Sequence, residues 1–113
     1  MELKQLSCQF AVTGQVAPGD MAVVASQGFR TVVCNRPDHE GSDQPEASQL
    51  EAAAARQGLR FEYLPIVPGQ ATDLDARRLA RILDETQSPV LAFCRSGARA
   101  ESLWRRAREL SGD

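Results

Sequence analysis

Three short apolar runs govern what this chain can become: Thr-Val-Val-Cys at 31–34, Phe-Glu-Tyr-Leu-Pro-Ile at 61–66 and Pro-Val-Leu-Ala-Phe at 89–93. Each has the length of a strand buried on both faces, and each follows a stretch with helical character. The Ala-rich segment 46–57 ends at Gly58, and 18–27 ends at Gly28 with Pro18 in its first turn. Proline at the start and glycine past the end are helix boundary signals. Thr72 and Asp75 make a capping-box-like start for a helix over 72–86, with Leu74, Leu79, Ile82 and Leu83 near one face. A last helix is expected over 99–110, and a short strand or extended entry within 10–16. Segment 37–45, rich in Asp, Gly, Ser and Pro, reads as a surface loop. Strands that alternate with helices need right-handed crossovers, so the expected fold is α/β, a mostly parallel central sheet flanked by helices. In such sheets ligands bind beyond the C-terminal ends of the strands. Cys34-Asn35-Arg36, Ile66-Val67-Pro68 and Cys94-Arg95 are expected there.

Composition narrows the class. The 113 residues form one expected domain, 1–113, with 42% hydrophobic and 25% charged residues. That length supports a core without disulfide or metal. Thirteen basic against fifteen acidic residues leave a net charge of −2, which argues against nucleic acid as partner. Neither a signal peptide nor a membrane-length apolar run is visible. Cys8, Cys34 and Cys94 are an odd set without CxxC spacing, which fits free thiols in a reducing cytoplasm. With a single His, no metal site is expected, and no cofactor either.

The segment Val-Leu-Ala-Phe-Cys-Arg-Ser-Gly-Ala-Arg-Ala at 90–100 carries the chemistry. An apolar strand running into a tight loop and then a helix turns successive backbone N–H groups onto an anion. Gly97 permits the backbone shape that the loop needs. The same field favours a thiolate at Cys94, the expected nucleophile. Arg99 is placed to grip an oxyanion, with Arg95, Ser96, Gly97 and Ala98 forming the cradle. Arg36 either adds a third positive charge for the substrate or pairs with Asp38 to fix its own loop. Cys34 is either a small buried strand residue or a resolving thiol for Cys94. Trp104 reads as core and Arg105, Arg106 and Arg108 as a solvated helix face. His39 and Cys8 are given no role.

Cys94-Arg95-Ser96-Gly97-Ala98-Arg99 resembles the active-site loop of rhodanese sulfurtransferases and, one residue shorter, the Cys-x5-Arg loop of protein tyrosine phosphatases. From about Leu3 to Leu110 the chain resembles a bacterial phosphatase-like domain also found fused to persulfide dioxygenases. The matching residues are Gly14-Gln15, Gly28-Phe29, Asn35-Arg36-Pro37-Asp38-x-Glu40, Gly58-Leu59, Pro65, the Cys94–Arg99 loop and Leu103-Trp104. The resemblance implies a protein tyrosine or dual-specificity phosphatase-like fold. It also implies a partner in persulfide or sulfide oxidation.

Three functions share this loop. A phosphatase needs a general acid, which in dual-specificity phosphatases is an Asp after a Tyr-x-x-Ile-like strand. Here Tyr63-Leu64-Pro65-Ile66 is followed by Val67-Pro68-Gly69-Gln70. The residue before Cys94 is Phe93 instead of His, and the residue after Arg99 is Ala100, without a hydroxyl. A sulfurtransferase needs none of these. The leading expectation is therefore sulfur transfer through a Cys94 persulfide, from a small anionic donor to a thiol or cyanide acceptor. A phosphatase acting through phosphocysteine is the alternative, and a non-catalytic anion-binding module the third reading.

Overall fold

The computed structural model describes residues 1–112. Five strands form one sheet: β1 (Lys4–Ser7), β2 (Phe10–Thr13), β3 (Thr31–Cys34), β4 (Arg60–Tyr63) and β5 (Val90–Phe93), in the order β1-β2-β5-β3-β4. All pairings are parallel except β1 with β2. The helices are α1 (Met21–Ser26), α2 (Ala47–Arg56), α3 (Asp73–Glu85) and α4 (Ala98–Leu110). The expected architecture is therefore present. None of the helices is long and apolar enough to cross a membrane.

Side-chain alternation along the strands divides the core in two. Phe10, Val12, Val33, Val90 and Ala92 face Ala76 and Leu79 of α3 and Leu103, Trp104 and Ala107 of α4. Ala11, Val32, Cys34, Leu91 and Phe93 face Met21 and Val24 of α1 and Leu50, Ala53 and Ala54 of α2. β5 lies in the middle, and all four of its residues are buried. The register is flush: Phe93 is level with Thr13 on one side and Cys34 on the other. Three chain segments thus leave the sheet side by side, and that row is where the site is built.

Several boundaries differ from the sequence reading, each for a local reason. Strand β1 was not anticipated; its residues are mostly polar and half-exposed, as an edge strand allows. The helix expected over 18–27 is a 3-10 turn, Pro18–Asp20, followed by the short α1. The strand expected over 61–66 stops pairing regularly at Tyr63. Pro65 has no N–H to continue the ladder, although Leu64 and Ile66 still donate to the carbonyls of Cys34 and Asn35 at 2.9 and 3.0 Å. Thr72 does cap α3, accepting from the Asp75 amide. Leu74, expected on the buried face, is instead 56% exposed.

This contrast is measurable. Leu103→Ala is expected to lower unfolding free energy by about 2–5 kcal/mol, because Leu103 is buried between α4 and the sheet. Leu74→Ala should change it by no more than about 0.5 kcal/mol. Urea denaturation followed by circular dichroism reads both.

Candidate active site

Cys94 is the first residue past β5 and is buried at the floor of the loop that follows. Its sulfur accepts a hydrogen bond from the Gly97 amide at 3.1 Å. The loop closes this tightly because Gly97 takes φ +96° immediately before α4. A Cβ there would be strained and would lie 3.2 Å from the Thr13 carbonyl oxygen. Gly14 makes the reciprocal approach: a Cβ on it would sit 3.0 Å from the Arg95 carbonyl oxygen. That carbonyl also accepts from the Gln15 amide at 3.2 Å. The end of β2 therefore buttresses the loop at van der Waals distance. The first amides of α4 have no carbonyl one turn back to pair with, so the Ser96–Ala98 cradle opens a helix N-terminus. Ser96 Oγ accepts from the Ala98 amide at 3.4 Å.

Arg99, one residue into α4, is fixed by a carboxylate that the sequence reading did not assign to the site. Its Nη1 donates to Glu40 Oε2 at 3.0 Å and to the Ile66 carbonyl at 2.8 Å, and its Nη2 donates to Glu40 Oε1 at 3.0 Å. A guanidinium has five N–H donors. These bonds leave the Nε–H and the second Nη2 hydrogen, one planar edge of the fork, for a ligand. Glu40 is shared: Arg36 Nε donates to its Oε1 at 3.1 Å. The guanidinium of Arg99 does most to hold the Glu40 carboxyl below the usual range; burial opposes it, and Arg36 adds to the lowering. Arg36 is itself buried and donates through Nη1 to Gln15 Oε1 at 3.0 Å.

The turn that delivers Glu40 is strained. His39 adopts φ +65°, a region that residues with a Cβ seldom occupy. The turn is tied down on both sides. The Asp38 amide donates to the Tyr63 hydroxyl at 2.9 Å, and Asp38 Oδ1 accepts from the Ala47 amide at 2.7 Å. Gln44 closes the far end, accepting from the Gly41 amide at 2.7 Å and donating to the Pro37 carbonyl at 2.9 Å.

The structure gathers Cys94, Ser96, Gly97, Ala98 and Arg99 into one loop and helix start. The Arg36–Asp38 pairing is corrected, and of the two readings of Cys34 the buried one fits. Arg36 pairs with Glu40 and Gln15, while Asp38 is occupied at the start of α2. Cys34 does not share a face with Cys94: it packs against α1 and α2, and Cys94 lies on the α3–α4 side. The Cys34 thiol donates to the Arg36 carbonyl at 3.4 Å, and burial pushes its pKa up to about 12. This geometry suits the buried-residue reading and leaves a resolving disulfide without support. Neither acid within sequence range is free. Asp38 is spent as above, and Asp73 accepts from Arg106 Nε at 2.9 Å. Trp104 is core, stacked on Phe10 with ring centroids 5.4 Å apart.

A central parallel strand ending in a buried Cys, an anion cradle and an Arg on the following helix define the fold class of tyrosine and dual-specificity phosphatases. Within that class the chain belongs to the family described as "Beta-lactamase hydrolase-like protein, phosphatase-like domain", which matches residues 2–111. A beta-lactamase hydrolase-like protein of Xylella fastidiosa is 30% identical over 112 residues, covering 99% of this chain and 26% of that protein. The chain thus spans about a quarter of the length of the curated relatives that it matches. A Neisseria meningitidis structure, described as a candidate phosphatase, superposes with a TM-score of 0.85 at 30% identity, over 93% of this chain and 76% of that one. The Pseudomonas aeruginosa protein TpbA, crystallised with phosphotyrosine, shares the fold at a TM-score of 0.72 and 18% identity, over 97% of this chain and 64% of its own. These relationships favour the phosphatase reading over the sulfur-transfer reading that led on sequence.

Two tests address the site. Iodoacetamide at pH 8 should modify exposed Cys8 and spare Cys34 in the folded protein, as read by peptide mass spectrometry. Glu40 has a lowered pKa in the fold, so its ion pairs add stability above the ordinary value of 4.5 and lose it as pH falls through the lowered one. Glu40→Gln should therefore be less stable than the parent at pH 7, with the gap closing in acid, as measured by thermal melts across that range.

Proposed function

We propose that this domain is a cysteine-dependent phosphatase acting on aryl phosphate monoesters, phosphotyrosine among them. The observation that carries the reading is the Cys94 sulfur held by the Gly97 amide, with the spare edge of Arg99 on the first turn of the next helix. The Cys94 thiolate attacks phosphorus, a P–S bond forms, and the P–O bond to the aryl group breaks with its electron pair leaving on oxygen. Loop amides and the Arg99 fork hold the equatorial oxygens as charge develops. Water then attacks the phosphocysteine, breaks the P–S bond and releases inorganic phosphate. Because Cys94 is buried, the phosphoryl group must seat fully in the loop before the sulfur is in reach.

The leaving group follows from the same residues. Asp38 and Asp73 are engaged elsewhere, and Glu40 is kept ionised between two arginines. With these three carboxyls so engaged, none of them serves to protonate an alkoxide, and the reaction favours phenolate leaving groups, which depart as anions. This restricts the substrate to aryl esters and disfavours phosphoserine.

Sulfur transfer stays as a second reading on one observation. The loop has four residues between Cys94 and Arg99, and a persulfide carrier needs neither a fifth residue nor an acid. Intact mass distinguishes the two: a gain of one sulfur after thiosulfate exposure, discharged by cyanide, would transfer the assignment.

The phosphatase reading predicts hydrolysis of 4-nitrophenyl phosphate, abolished by Cys94→Ser. Arg99→Lys should lower kcat/KM by about a hundredfold, since a point charge replaces a planar fork. Phosphoserine peptides should turn over far more slowly than phosphotyrosine peptides. Absence of aryl phosphate turnover by the parent protein would overturn the proposal.

A further inference from the structure

Beside the Cys94 loop lies a cleft of about 600 Å³ between Arg95 and the 40–45 turn. Its floor is Arg36. The Arg36 side chain is 9% exposed; its Nε goes to Glu40 and its Nη1 to Gln15, and no protein acceptor takes its Nη2 among the described residues. That amino group points along the turn towards Gly41. A Cβ on Gly41 would lie 2.7 Å from it, so the guanidinium has its place because this residue carries no side chain. Arg95 forms the opposite wall. It is exposed and makes no ion pair among the described residues. Gln15 and Gln44 add amides to the lining. Of the two acids there, Glu40 is consumed by Arg99 and Arg36, which leaves Asp43 at the rim against the spare charge of two arginines.

The Arg36 amino group has no protein acceptor among the described residues and is not sealed from solvent, so it is free to donate to a ligand. A guanidinium facing a second, unpaired guanidinium across an open cleft is arranged for an anion with more than one oxygen. We propose that this cleft is a second anion subsite. The substrate would then carry, besides the phosphate that Cys94 attacks, a further phosphate or carboxylate a few bonds away. The first half of that statement rests on the phosphatase reading; the subsite itself does not. Arg95 bridges the two positions, since its carbonyl is part of the β2 buttress and its side chain walls the cleft.

The test uses binding, so that it does not depend on turnover. Inorganic phosphate and tripolyphosphate are titrated calorimetrically into the Cys94→Ser protein at pH 7. Tripolyphosphate should bind more tightly, and adding Arg95→Gln should cut the ratio of the two affinities by about tenfold. Arg77→Gln, which removes an exposed charge from α3, controls for general attraction and should leave that ratio unchanged. A ratio that survives Arg95→Gln, or falls equally with Arg77→Gln, would overturn the subsite, as would tripolyphosphate binding no tighter than phosphate. Failure of aryl phosphate hydrolysis with the ratio effect intact would remove the phosphatase reading and keep the subsite. The reverse result would remove the subsite alone.

Discussion

The contact on which the site depends is the approach of the end of β2 to the Cys94 loop. Gly97 turns over the Thr13 carbonyl, and Gly14 lies under the Arg95 carbonyl. Each glycine faces the backbone of the other's segment, and the Gln15 amide closes the gap. The loop is thereby shaped by a strand already anchored in the sheet rather than by its own side chains. The flush register of β2, β5 and β3 makes this approach possible, because Gly14, Cys94 and Asn35 leave the sheet together.

A second layer of order is electrostatic. Glu40 joins Arg36 to Arg99 and orients the Arg99 guanidinium, while leaving one edge unspent. Burying one arginine and half-burying another carries a desolvation cost that one shared carboxylate only partly offsets. The strain at His39 adds to it. Both lie on the turn that carries Glu40 to Arg99.

Much of this was legible in the residues. The β-branched and apolar runs at 31–34 and 89–93 could only be buried strands, and the glycine-stopped helices between them required parallel crossovers. Cys94, Gly97 and Arg99 were readable because strand, Cys, Gly and Arg in close succession carry a backbone geometry as well as chemistry. Glu40 was not, although it lies in a segment whose resemblance was noted. An acidic residue in a polar loop has no periodicity to assign it, and its partner is 59 positions away. The orientation of Cys34 was within reach, since strand alternation puts neighbours at level positions on one face and Cys34 is level with Phe93, not Cys94. Leu74 misled for the opposite reason: it was counted with Leu79, but a five-residue step places it about 140° away around the helix, and it is exposed. The sulfur-transfer expectation weighed what the loop lacks. The family and fold relationships weigh what the whole chain shares.

One contact at the far end of β2 bears on how the site is held together. Phe10, where that strand begins, is stacked on Trp104 of α4 with the ring planes 11° apart, and the Arg108 guanidinium lies 4.7 Å from the Trp104 ring centroid. The strand that braces the cysteine loop is thus riveted to the helix that bears Arg99. Nucleophile and guanidinium therefore belong to one braced unit, and the Glu40 pair fastens the neighbouring turn to that same unit.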